Sequence, residues 1–309
     1  TDNGDSWQLI SSTAQPGTSG TDVVTSAQRF TITDQLAIDY SESGGTEIYA
    51  AGLSEIIRST DGFQTFDVVL GADNGGNNFA DVAITSTGKV FAAIGNSSFN
   101  GSQAEDGLFM SDDGITWQKI EPATNFPTSF NRIEIAIDPS DEGKVYFVGA
   151  DRLFLFNDVN DTFTDLSANL GVSTTDVGQG HNSQGGYDLY AAVHPSNPDA
   201  IFIGGVNLLR STDGYRTAVN RKQIGGYNND NNPNSYPRYP NHHPDNHAYA
   251  FFPSNPDKML SGSDGGVHIT QNNQANVTAA NPVTWSSLNN GYTTTQFYHA
   301  SIHLHDLGD

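Results

Sequence analysis

Residues 36–66 read LAIDYSESGGTEIYAAGLSEIIRSTDGFQTF, and the same order of features returns at 135–163 (IAIDPSDEGKVYFVGADRLFLFNDVNDTF) and at 191–218 (AAVHPSNPDAIFIGGVNLLRSTDGYRTA). Each stretch runs from an apolar strand through a tight turn to a second strand, then a short loop, a third strand and an Asp-containing turn into a fourth. Residues 249–270 (YAFFPSNPDKMLSGSDGGVHIT) begin the same way. A period of tens of residues decides an architecture before any single residue is read. Anchored on the first strand, Ile38, Ile84, Ile137, Val193, Phe251 and Ile302 are equivalent and lie 46, 53, 56, 58 and 51 residues apart.

Within the unit, Ile133, Ile135 and Ile137 alternate with Arg132, Glu134 and Ala136, the period-two pattern of a half-buried strand. Four short strands per unit, repeated radially, predict an all-β chain, a β-propeller of four-stranded antiparallel blades. Units of about 50 residues begin near 36, 82, 133, 189, 248 and 300, so residues 1–309 read as a single propeller domain with five complete blades. The first residues supply only an outer strand, Trp7 to Ile10, and the last only an inner one. An unclosed ring exposes strand edges, and the expectation is a fragment of a longer chain, part of a seven- or eight-bladed ring.

Composition narrows the partners. Thirteen Lys+Arg against 35 Asp+Glu give a net charge of -22, which repels nucleic-acid phosphates and anionic lipid. No run approaches the roughly 18 apolar residues of a spanning helix, so neither nucleic acid nor membrane insertion is expected. The absence of cysteine removes disulfides and thiolate chemistry. With 36% hydrophobic and 10% aromatic residues the chain still has a core to bury.

The recurring turns read Asp2-Asn-Gly4-Asp-Ser6-Trp7, Asp61-Gly-Phe-Gln-Thr65-Phe66, Asp112-Asp-Gly114-Ile-Thr116-Trp117, Asp158-Val-Asn160-Asp-Thr162-Phe163 and Asp213-Gly-Tyr-Arg-Thr217-Ala218. They resemble the Asp-box (BNR-like) repeat of sialidases, xyloglucan-processing hydrolases, sortilin-type receptors and a photosystem assembly factor. The resemblance spans essentially the whole chain. It departs at Phe63 and Tyr215, which stand where Gly is usual, at Ala218 in place of an aromatic, and before Thr284-Trp285, where the turn is interrupted. A carboxylate at such a turn accepts backbone N–H groups, so Asp2, Asp61, Asp112, Asp158 and Asp213 are read as structural.

Connections between first and second strands are tight, whereas the opposite face collects the long segments 71–79, 95–107, 122–131, 171–186 and 225–247. Long loops on a rigid scaffold are where binding resides. They carry Tyr187, Tyr227, Tyr236, Tyr239 and His181 among carboxylates and amides, a combination of stacking faces and hydrogen-bonding groups suited to carbohydrate. Aligned across units, the turns between second and third strands present Glu55, Asp151, Asn207 and Asp264. Two such carboxylates converging near the axis would serve a glycoside hydrolase, as acid and base or as acid and nucleophile. The SDGGVHI stretch around Asp264 resembles the Asp-Gly-Gly segment that bears a catalytic acid in xyloglucan-cleaving propellers. Sialidase chemistry is a poorer match, because no Phe-Arg-Ile-Pro stretch occurs and Arg58 and Arg210 occupy the same position before the Asp turn in two blades, which points to a repeated structural role.

His242, His243, Asp245 and His247 have the density of a divalent-metal site, and His181 is a further candidate ligand. Oxygen-rich turns at Asp158, Asn160 and Asp161, or Asn229 to Asn232, suit structural calcium; no cofactor is required by the reading. The expected role is a secreted or cell-surface propeller that binds extracellular glycan and hydrolyses it. The alternative is a non-catalytic adhesion or protein-interaction propeller, similar to the sortilin-type receptors, with a surface protein as partner. Acidity without cysteine points to a bacterial extracellular protein, and the SLNNGYTTTQFYHASIH ending resembles repeats of large secreted proteins of Bacteroidetes-type bacteria.

Overall fold

The short Val-, Ile-, Phe- and Ala-rich runs form strands because their side chains fit a pleated, buried surface, and the Gly-, Asn- and Asp-rich stretches between them form turns. A computed structural model of the chain describes residues 10, 33–41, 47–71, 78–96, 105–174, 180–227, 238–276 and 281–291. The first blade comprises β1 (Thr33–Asp39), β2 (Glu47–Gly52), β3 (Glu55–Ser59) and β4 (Asp67–Gly71). The second holds β5 (Ala80–Ile84), β6 (Val90–Ile94), β7 (Gly107–Ser111) and β8 (Gln118–Lys119). In the third are β9 (Glu134–Ile137), β10 (Lys144–Val148), β11 (Leu153–Asn157) and β12 (Thr162–Asp165). The fourth contains β13 (Tyr190–His194), β14 (Asn197–Gly204), β15 (Leu208–Ser211) and β16 (Arg221–Gly225). The fifth contains β17 (Asn246–Phe252), β18 (Asn255–Ser263), β19 (Gly266–Thr270) and β20 (Ser286–Ser287). Every sheet is antiparallel with its strands in chain order, and the innermost strands β1, β5, β9, β13 and β17 pack in succession: these are propeller blades.

Middle strands are covered on both faces, and so β6, VFAAI, is buried at all five positions. The cores lie between blades. Tyr49, Ile56 and Leu70 of the first blade meet Val82 of the next; Phe91 and Leu108 meet Ile135; Tyr146 and Leu153 meet Ala191 and Val193; Phe202 and Ile224 meet Tyr249 and Trp285. Each core therefore joins the sheet of one blade to the inner strand of the following one. Among the described residues no sheet covers the matching positions of β1, and Leu36, Ile38 and the adjacent Tyr40 are 59%, 39% and 80% exposed.

Asp turns close the first, second and fourth blades on the short-turn face. Asp61 accepts N–H and hydroxyl bonds from Thr65 at 2.8 and 2.7 Å, and Asp213 accepts the Thr217 hydroxyl at 2.6 Å. In the second blade the turn is one residue shorter, and the acceptor is Asp113 rather than the expected Asp112. Asp113 takes the N–H groups of Ile115 and Thr116 at 2.9 and 2.6 Å and lies well below the ordinary carboxylate range for that reason, while Asp112 points to solvent and Lys89. In the third blade Asp158 does not bridge its turn; it pairs with Lys89 of the preceding blade at 2.6 Å. In the oxygen-rich turn read as a calcium site, Asp158 thus gives Oδ2 to Lys89. Asp2 and the second such stretch, 229–232, lie outside the described residues. The turns also reach sideways: a Cβ on Gly114, at φ 67°, would collide with the Tyr49 hydroxyl of the preceding blade.

Candidate functional site

On the long-loop face the turns between second and third strands are pinned to the segments that enter inner strands. Between the fourth and fifth blades, Asp245 N–H donates to the Val206 carbonyl at 3.0 Å, and the Asp245 carbonyl accepts Asp264 N–H at 3.0 Å. Asp245 sits at φ 62°, an uncommon conformation for a residue with a side chain. Asn246 reinforces the junction by donating its amide to the Gly205 carbonyl at 3.0 Å. Behind it, His242 accepts Gly226 N–H on Nδ1 at 3.0 Å and reaches Ser261 Oγ through Nε2 at 3.0 Å, and Ser261 Oγ donates to Asn246 Oδ1 at 3.3 Å.

This frame assembles a cluster of ionisable groups. His247 Nε2 lies 2.7 Å from Asp264 Oδ1 and 3.6 Å from Asp188 Oδ1. Asp188, just before β13, is fully buried and acts on the Asp245 carboxyl. The Tyr187 ring stands edge-on to the His247 ring with centroids 5.2 Å apart, and Tyr187 is 57% exposed. Burial pushes the Asp245 carboxyl above its usual range; the neighbouring Asp188 pulls it back, and the Asp264 charge raises it further. The Asp264 charge is likewise the largest cause of an upward shift at the Tyr187 phenol.

The residues singled out from sequence are distributed unevenly around this cluster. Asp264, Asp245, His247 and Tyr187 meet there. Asp151 lies apart on the third blade, exposed and paired with Arg152 at 2.7 Å, and Glu55 is buried at the start of β3. Asn207, aligned with them, is a buried structural amide whose Oδ1 accepts Tyr227 N–H at 2.8 Å. Tyr227 is half-buried, its carbonyl receiving the Gln223 amide. Two expected ligand-binding residues belong to the interior instead. Tyr239 is buried in the fifth-blade core with its hydroxyl donating to Val283 O at 2.8 Å, and burial raises it to about 12. His181 is fully buried against the Gly149 carbonyl at 3.2 Å and is lowered to about 4 by desolvation. Tyr236 lies outside the described residues.

The expected metal quartet is split. His242 has both ring nitrogens engaged by protein and is lowered to about 3 by burial, while His243 Nδ1 faces the Pro244 carbonyl at 2.9 Å. Among the described residues no group of three His, Asp or Glu side chains is arranged to hold a metal ion. Sequence reasoning missed Asp188. Its signal is slight: an acid directly after an aromatic, two residues before an inner strand.

No family model and no curated protein matches the chain. Among solved structures, the outer coat vertex of COPII on membranes matches with a TM-score of 0.51 at 11% identity, over 80% of this chain and 59% of that one. A GH74 enzyme from Niastella koreensis matches at 18% identity and TM-score 0.42, over 83% of this chain and 47% of its own. The GH74 xyloglucanase from Xanthomonas campestris matches at 13% identity and TM-score 0.43, over 82% and 46%. The chain thus spans about half the length of these two enzymes. The likeness to the coat protein is one of fold. No helix among the described residues is long and apolar enough to cross a membrane.

Proposed function

We propose that this propeller binds an extracellular polysaccharide on its long-loop face and cleaves it at the Asp188–Asp245–Asp264–His247 cluster. The observation that carries the reading is the unequal setting of two carboxyls beside an exposed ring. Asp245 is shifted toward its acid form, Asp264 is held at 2.7 Å by His247, and Tyr187 offers a face on which a sugar can stack. In such a reaction Asp245 gives its proton to the glycosidic oxygen as the anomeric C–O bond breaks. Asp264 either takes a proton from the attacking water or itself bonds to the anomeric carbon, and in that case water, giving a proton to the now ionised Asp245, displaces Asp264 and releases the sugar. Acidity, the lack of cysteine and the long polar loops support a place outside a bacterial cell.

The test is reducing-end release from a polysaccharide panel. Asp245→Asn and Asp264→Asn are each expected to lower release by about 10²–10⁴-fold while leaving retention on polysaccharide intact. Tyr187→Ala is expected to weaken retention several-fold. Release unchanged in both carboxamide variants overturns the assignment. A second reading, binding without turnover, is favoured by one contact: Asp264 commits Oδ1 to His247 at 2.7 Å. Tight retention with no release from the wild type would establish it.

A further inference from the structure

A hollow of about 300 Å³ opens on the same face where the second, third and fourth blades meet, at the lower end of the range of small-molecule sites. Arg132 and Ile133 line it beside Phe130, the Gly149–Arg152 turn and Gly185–Gly186. Three contacts fix these walls. Phe130 and Asn96 exchange backbone bonds of 2.7 and 2.8 Å, the Asn131 amide donates to the Gly185 carbonyl, and Arg132 Nη1 donates to the Gly186 carbonyl at 3.2 Å. Gly186, at φ 102°, approaches so closely that a Cβ there would lie 3.0 Å from the Arg132 Cβ. The hollow is therefore part of the rigid frame. The same segment continues into Tyr187 and Asp188, so it borders the carboxyl cluster.

Both guanidinium groups at the hollow are already matched, Arg132 by the buried Glu134 and Arg152 by Asp151 at 2.7 Å. An anionic ligand would face the exposed Asp151 carboxylate with no unmatched cation to receive it. What the pairs leave over is an acceptor. Asp151, exposed, binds Arg152 through Oδ2 alone among the described contacts. A carboxylate oxygen accepts, and a ligand hydroxyl donates. Phe130, Ala150 and Ile133 add an apolar surface for the C–H face of a ring. We infer that this hollow binds one neutral sugar unit, a single pyranose, as a recognition subsite separate from the carboxyl cluster. Only the identification of that sugar as part of a polymer rests on the function proposed above.

The experiment is calorimetric titration of the chain with glucose, galactose, mannose, xylose and glucuronate, alongside polysaccharide retention. It is repeated for Ala150→Trp, which fills the hollow from an exposed position, and for Ser129→Trp should the first variant fail to fold. At least one neutral sugar is expected to bind, with affinity falling tenfold or more in the filled variant at unchanged melting temperature. Glucuronate binding more tightly than every neutral sugar overturns the assignment, as does equal affinity in the wild type and the filled variant. Polysaccharide retained equally by both proteins with no sugar bound defeats the subsite and leaves the polymer reading standing. A sugar bound in the hollow with no polysaccharide retained does the reverse, and silence in every arm defeats both.

Discussion

A histidine that accepts a backbone N–H cannot carry a second proton without losing that bond, and His242 is in this position. Its Nδ1 faces Gly226 N–H, and burial lowers it to about 3, with His181 held at about 4. The unfolded chain protonates both near the ordinary value of 6.5. Their contribution to stability is complete above pH 6.5 and is lost as pH falls from there toward the folded values, at about 1.4 kcal/mol per pH unit for each. The buried Asp81 and Glu134, raised by desolvation, act in the opposite direction over part of that range. His242→Gln is therefore expected to shallow the acid-side loss by about 1.4 kcal/mol per pH unit, read from urea unfolding at pH 6.5 and 5. An unchanged slope removes His242 from the account. At this scale the sequence was partly legible. It offered two adjacent acids, Asp112 and Asp113, and only the shorter turn decides between them. Tyr239 read as a loop aromatic because the loop's return beneath the fifth blade leaves no local periodicity.

Among the elements, Arg58 on β3 and Arg210 on β15 occupy the same place in the repeat and do different things. Arg58 pairs with Glu47 inside its own blade. Arg210 is fully buried and donates to the Asn273 and Ala275 carbonyls of the next blade, with no carboxylate in ion-pair reach among the described residues; desolvation lowers it to about 10. Two charge-assisted bonds to carbonyls are worth roughly 1.5–3 kcal/mol each, so Arg210→Ala is expected to destabilise by about 3 kcal/mol or more. Arg58→Ala should cost much less, because its pair is partly solvated. Equal urea midpoints for the two variants would show that the interblade bonds contribute nothing. Strand positions were legible from period-two alternation and turn chemistry. The cluster was legible only in pieces: Asp264, Asp245, His247 and Tyr187 each stood out for a different chemistry, and their meeting depends on how the fourth and fifth blades dock.

At the scale of the molecule, the repeat announced the blades but not the rule that joins them, since a one-dimensional period contains no information about which sheet face meets which inner strand. That rule is the stacking of each sheet on the inner strand of its successor, with almost every core shared by two neighbours and none by all five. A structure cemented only between adjacent layers responds to mechanical load in an ordered way. Tethered near Tyr40 and Leu288 and drawn apart, the molecule should lengthen in discrete jumps, each releasing one blade of about 50 residues and roughly 170 Å of slack chain. A force trace with one rupture spanning the whole length would show the blades to be welded into a single unit. Among the five described blades the first should yield first, since its Leu36 and Ile38 face water where the inner strands of the other four each pack against the sheet before them.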